Sequence, residues 1–151
     1  MTEIKQAQKT DLTLISELEK QCFNEPWTEK TLSYFHENGS YIAICYLESS
    51  PVGYAVLDLA TPDFAEIMRI AVLPESRGKG YADGIMRSVT DRARECKKDK
   101  ILLEVRESNS PAISLYKKFG FKDDGIRKNY YKNPDDDAVI MLKASRQDLI
   151  N

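Results

Sequence analysis

Residues 74–86 read PESRGKGYADGIM. Gly78 and Gly80 bracket Lys79, with Arg77 just ahead of them. Upstream, FAEIMRIAVL (64–73) is a strand-like run closed by Pro74. Downstream, Ala82, Ile85, Met86, Val89, Ala93 and Cys96 recur at helical spacing and share one face. KILLEVR (100–106) then reads as a buried strand. The spacing therefore predicts one strand–helix–strand crossover over residues 64–106, which requires a parallel strand pair.

A strand that turns through glycines into a helix leaves backbone N–H groups without partners, and the helix dipole adds partial positive charge there. Such a junction suits an anion, phosphate above all. Glycine at the turn lets a phosphate approach the backbone closely. A nucleotide P-loop needs GK[ST], but Lys79 is followed by Gly80. A dinucleotide fingerprint needs GxGxxG, whereas Gly78, Gly80 and Gly84 form GxGxxxG, one residue too long. That near-match also lies after a three-strand meander, not on the first strand of a doubly wound sheet. A glycine turn without a ligand is the remaining plain alternative.

Outward from this segment, EIKQAQ reads as a short first strand and DLTLISELEKQCF as a helix with Leu12, Ile15, Leu18 and Cys22 on one side. Thr28 is a natural N-cap for a second helix running to Asn38-Gly39. YIAICYLESSPVGYAVLDLA (41–60) reads as two strands around a turn at Glu48 to Pro51. Ser110-Pro111 reads as a cap and first helical position, and that helix stops at Gly120. The remainder reads as two strands around Asn133-Pro134-Asp135. The order β-α-α-β-β-β-α-β-α-β-β predicts a single mixed α/β domain over residues 1–151. A mostly antiparallel central sheet of about seven strands is flanked by about four helices.

Composition narrows the function. Of 151 residues, 42% are hydrophobic and 30% charged, the usual globular mix. The net charge of -2 argues against binding nucleic acid through bulk charge. No apolar run approaches the ~20 residues that span a bilayer, and the N-terminus does not resemble a secretory signal. Cys22, Cys45 and Cys96 are scattered and His36 is the single histidine, so neither a zinc site nor a disulfide framework is expected, and no metal is implied. Free thiols suit a reducing cytoplasm.

Four segments, in order, carry a family resemblance. Arg77-Gly78-Lys79-Gly80-Tyr81-Ala82 matches [R/Q]-x-x-G-x-[G/A] and resembles the pyrophosphate-binding motif of the GNAT superfamily of N-acetyltransferases. EPWTEKTL (25–32), LLEVRESNSPAISLYKKFGF (102–121) and IRKNYY with DDAVIM (126–131, 136–141) resemble the ribosomal-protein alanine N-acetyltransferases within it. The likeness runs over residues 3–144, nearly the whole chain. It implies acetyl-coenzyme A as cosubstrate, and as acceptor the N-terminal alanine of ribosomal protein S18. Transfer would be direct, within a ternary complex.

The resemblance also implies roles. The loop from Arg77 through Gly78, Lys79, Gly80, Tyr81 and Ala82 to Asp83 would hold the pyrophosphate. The backbone of Ile70, Ala71 and Val72 would meet the pantetheine arm and the acetyl oxygen, and Asn109 would hydrogen-bond coenzyme A.

Glu104, an acid among apolar strand neighbours, is the candidate base. Alternation puts Arg106 on its face, and pairing of the two is the plain alternative. Tyr116 is the candidate acid and a further coenzyme contact; by spacing alone it is a core tyrosine. Trp27, Tyr130 and Tyr131 would flank the acceptor peptide, with packing onto the core as their alternative. Two other functions stay open at this level: acetylation of a small amine or a lysine side chain, and acetyl-coenzyme A sensing without turnover.

Overall fold

The computed structural model describes residues 1–145. The elements are β1 (Thr2–Gln6), α1 (Leu12–Cys22), α2 (Glu29–Glu37), β2 (Tyr41–Leu47), β3 (Ser50–Asp58), β4 (Phe64–Val72), α3 (Tyr81–Glu95), β5 (Lys100–Arg106), α4 (Ser110–Lys118), β6 (Lys122–Tyr131) and β7 (Asp136–Ala144). They build a seven-stranded sheet in the order β1-β2-β3-β4-β5-β7-β6. Neighbouring strands are antiparallel except β4 and β5, which are parallel across the α3 crossover. This is the mixed, mostly antiparallel architecture that the element order predicts.

Local chemistry sets several boundaries. Thr28 caps α2, its hydroxyl accepting from the Thr31 N–H at 3.3 Å. The β2–β3 turn is tighter than expected: Glu48 and Ser49 alone form it, both at positive φ, and β3 already begins at Ser50. The cap of α4 is also displaced by one residue. Asn109, not Ser110, accepts from the Ala112 N–H, and Pro111 lies in the first turn. An asparagine side chain places its carbonyl oxygen where a serine hydroxyl would have stood.

The sheet separates two apolar layers. On one face Ile85, Met86, Val89 and Ala93 of α3 and Tyr116 of α4 bury against Ala43, Ala55, Leu57, Ile67, Leu103, Val105 and Met141. On the other face Leu12, Ile15 and Leu18 of α1 and Leu32 of α2 bury against Ile42, Ile44, Tyr54, Val56 and Ala71. Each such side chain withdrawn fully from water contributes roughly 1.5–3 kcal/mol. The second layer draws on β2, β3 and β4 but not on β5, β6 or β7. Helices α1 and α2 thus leave that face of β5, β7 and β6 uncovered.

Two irregularities shape the middle of the sheet. Val56 pairs with Arg69 while Leu57 pairs with Ile67, so Met68 is an extra residue that bulges β4. Pairing of β4 with β5 runs from Phe64–Lys100 to Ile67–Leu103 and then ceases. Both strands continue, to Val72 and Arg106. The sheet therefore opens between β4 and β5 beyond the bulge.

Candidate active site

The opening between β4 and β5 has a main-chain wall. Ile70, Ala71 and Val72 pair with Ala55, Tyr54 and Gly53 on the β3 side and have no strand partner on the β5 side. Polar backbone exposed along such an edge is available to a ligand.

The glycine loop follows directly. Gly78 and Gly80 sit at φ +77° and +85°. A Cβ on either would meet nothing within 4 Å. The need for glycine is therefore conformational, a left-handed backbone that side chains resist, and the space beyond the loop is open. Among the described residues, the N–H groups of Gly78, Lys79 and Gly80 have no acceptor. The donor set fits a pyrophosphate at the start of α3.

The side chains around the loop are less uniform. Lys79 is exposed. The Arg77 Nε donates to the Val72 carbonyl at 2.9 Å, so this guanidinium braces the end of β4. Asp83, in the first turn of α3, pairs with Lys118 of α4 at 2.5 Å. Tyr81 packs on the α3 layer, and Ala82 is half-buried beside it. Asn109 spends its carbonyl oxygen on the α4 cap.

Glu104 is the first β5 residue beyond the last β4–β5 pair, on the face that α1 and α2 leave open. Its side chain is 19% exposed, and Arg127 Nε of β6 lies 2.5 Å from Oε2. The approach is a charge contact without hydrogen-bond alignment, since Oε2 is buried and has no hydrogen bond directed at it. Arg106 is not the partner of Glu104. It donates to the carbonyls of Pro134 at 2.8 Å and Lys132 at 2.9 Å, and stacks 4.5 Å over the Tyr131 ring. It holds the β6–β7 turn.

Tyr116 is 6% exposed, its ring tilted against Phe121. No described residue hydrogen-bonds its hydroxyl. Burial raises its pKa above the usual tyrosine range, and the nearby Tyr131 adds to that. Tyr131 is half-buried, with its pKa pushed up to about 12 by burial and then by the charge of Glu104. Tyr131 is thus within electrostatic reach of both Glu104 and Tyr116. Tyr130 stands edge-on to Tyr131 and is 49% exposed.

Two features went unread in the sequence. Glu66 of β4 pairs across the sheet with Asp58, and its pKa is raised by burial, then by Glu104 and Asp58. Arg127, paired with Glu104, offsets part of this negative charge. The second feature is a buried carboxylate, Glu19, bound to Arg69 beside Trp27. Glu19 follows Ile15 by four residues, and that helical step was the available signal. Trp27 itself is half-buried and stacks on Phe35 at 5.1 Å. A shallow depression lined by Gly120, Lys122, Asp123 and Lys143 lies away from all these groups, at the β6 edge.

Comparison with known proteins agrees with this geometry. Residues 12–121 match the acetyltransferase (GNAT) family model. The chain belongs to that family. A Bacillus subtilis relative of this GNAT chain is 38% identical over 135 residues, 87% of both chains. A [ribosomal protein bS18]-alanine N-acetyltransferase of Haemophilus influenzae is 33% identical over 145 residues, 93% of this chain and 97% of its own. The crystal structure of the ribosomal-protein-S18-alanine N-acetyltransferase from Escherichia coli superposes with a TM-score of 0.90 at 28% identity. It covers 97% of this chain and 96% of that one. Among the described residues no helix is long and apolar enough to cross a membrane, and no acidic, histidine or cysteine cluster suits a metal ion.

Proposed function

We propose that this GNAT chain is a cytoplasmic acetyl-coenzyme A-dependent N-acetyltransferase of protein N-terminal α-amines. The proposed target is the N-terminal alanine of ribosomal protein S18. The carrying observation is the gap between β4 and β5, with the unpaired N–H groups of residues 78–80 following its β4 edge and Glu104 at the point where pairing stops. The names of the Haemophilus influenzae and Escherichia coli relatives support the choice of acceptor.

Acetyl-coenzyme A would supply the acetyl group as a thioester. The N–H groups of Gly78, Lys79 and Gly80 hold the pyrophosphate, and the free edge of Ile70–Val72 binds the pantetheine arm. A backbone N–H on that edge stabilises the charge that develops on the thioester oxygen. The acceptor lies on the uncovered face, between the segments carrying Trp27 and Tyr130-Tyr131.

A protein α-amine has a pKa of about 7.7–8.0, so at neutral pH it must shed a proton before its nitrogen can attack. Glu104 accepts that proton, directly or through water. The nitrogen–carbon bond forms, the carbon–sulfur bond breaks, and the Tyr116 hydroxyl gives its proton to the departing thiolate; the acylated nitrogen sheds its second proton through water to the Tyr116 oxygen, and Glu104 releases the first to solvent. A buried phenol with no protein partner and a raised pKa stays protonated for this task. Cys22, whose Sγ is 3.8 Å from the Val72 carbonyl, lies near the gap, but burial raises its thiol pKa and weakens it as a nucleophile. Direct transfer within a ternary complex is the course proposed.

The test is thiol release from acetyl-coenzyme A with a panel of acceptors: the S18 N-terminal peptide, the same peptide with its α-amine blocked, free lysine and a polyamine. Release with the free peptide alone is the expected result. Preference for the polyamine or lysine would overturn the acceptor class. Coenzyme A binding without release for any amine would reduce the chain to a sensing module.

A further inference from the structure

The α1–α2 connection, residues 23–28, contains neither helix nor strand, yet it carries Trp27. One side chain from the sheet organises it. Arg69 of β4 lies with its guanidinium 3.8 Å from the centre of the Phe23 ring and 4.6 Å from that of Trp27. Its Nη2 donates to the Glu25 carbonyl at 3.2 Å. The same guanidinium grips Glu19 with two bonds, Nε to Oε2 at 3.1 Å and Nη2 to Oε1 at 3.0 Å. Glu19 is wholly buried, and it also accepts from the Trp27 N–H at 2.7 Å and from the Tyr54 hydroxyl. Arg69 thus contacts Phe23, Glu25 and Trp27 directly and meets the Trp27 backbone again through Glu19.

The bulge at Met68 is what puts Arg69 there. By strict alternation Ile67 and Arg69 would share a face, but Ile67 is buried in the α3 layer while Arg69 faces α1. An extra residue re-aims the side chain that follows it. Across the gap, Arg106 of β5 holds the carbonyls of Lys132 and Pro134. The two loops then meet, Asn133 Nδ2 donating to Glu25 Oε1 at 2.7 Å. One arginine on each side of the open sheet anchors one loop, and the loops join across its mouth.

A buried ion pair of this kind adds little stability over apolar residues of equal volume, so its value lies in fixing a geometry. We propose that Arg69, clamped by Glu19, is a positioning residue that holds the α1–α2 connection in the shape that receives the acceptor chain. This rests on the acceptor reading above. It assigns Arg69 no contact with reacting atoms.

Three variants test it: Arg69→Lys, Arg69→Met and the double variant Glu19→Met/Arg69→Met. Lysine keeps the charge but neither the fork nor the stacking surface. The double variant leaves no orphaned buried carboxylate, so it remains informative if Arg69→Met fails to fold. The expected result is a KM for the S18 peptide raised about tenfold to a hundredfold, the range for losing hydrogen bonds to a charged group, with Arg69→Lys intermediate. The kcat and the KM for acetyl-coenzyme A should hold within about threefold. Amide hydrogen exchange at residues 23–28 should quicken in all three variants while β2 and β3 keep their protection.

Hydrogen exchange needs no acceptor. If the wild-type enzyme ignores the peptide, the acceptor reading fails, and exchange at residues 23–28 alone then decides the clamp. A folded double variant with unaltered exchange there, or with an unaltered peptide KM in an enzyme that uses the peptide, would overturn the proposal. So would a drop in melting temperature with kcat and both KM values moving together, the mark of a merely structural role.

Discussion

Replacing Glu104 with glutamine tests the base role through its dependence on pH. The substitution keeps the side chain's length and removes its charge and proton affinity. Arg127 loses its partner, but it is 58% exposed and can return to water, so the change in stability should stay within about 1 kcal/mol. A positioned general base is worth about 10²–10⁴-fold in rate. For an α-amine of pKa near 7.8, about 5% is neutral at pH 6.5 and about 98% at pH 9.5, a rise of about twentyfold. Initial rates of thiol release with the S18 peptide should therefore fall by about 10²-fold or more at pH 6.5. The deficit should shrink by at least about tenfold at pH 9.5, where the amine arrives already deprotonated. An equal deficit at both pH values would refute the base role. A melting temperature lowered by many degrees would assign Glu104 to the structure instead.

Other perturbations separate the remaining roles. Tyr116→Phe should lower kcat by about 10²-fold, with acetyl-coenzyme A binding by calorimetry close to wild type; collapsed binding would make the residue structural. Because the pKa values of Tyr116 and Tyr131 are both raised, the wild-type pH–rate profile should climb through the amine pKa and stay level to about pH 10. A fall beginning near pH 9 would contradict the protonated phenol. Glu66 has a raised folded pKa, so the folded state holds its proton more tightly and this contribution to stability is lost as pH rises through that pKa. Glu66→Gln should accordingly match wild type near pH 4 in thermal melts and exceed it at pH 7. Gly80→Ala places a Cβ residue at φ +85° at a cost of about 1–2 kcal/mol. Coenzyme A affinity should weaken about tenfold as the loop escapes that strain.

Much of the fold was legible because the signals are local. The helical face from Ala82 to Cys96, the strand KILLEVR and the glycine turn between Pro74 and Tyr81 specify the crossover without any distant contact. The open gap between β4 and β5 was not legible, because it depends on where pairing stops, and pairing is a property of two strands in register. The bulge at Met68 is likewise set by the register of β4 against β3.

The candidate site shows the same division. Glu104 stood out as an acid among apolar neighbours. Its partner is Arg127 rather than the adjacent Arg106, because β6 folds back across β7 and brings a residue distant in sequence onto the same face. Arg106 reaches the turn carbonyls instead, since an arginine fork satisfies two acceptors that no other group supplies. Glu19 and Arg69 escaped notice because each looks ordinary alone, and burial together is what gives them meaning.

The central claim is that an acetyl group reaches a protein α-amine. It is tested most directly by incubating the protein with acetyl-coenzyme A and full-length S18, then locating the acetyl group by fragmentation mass spectrometry. The account predicts a single acetyl on the α-nitrogen of the N-terminal alanine and none on lysine side chains. Acetyl groups on lysines with a free N-terminus would contradict it.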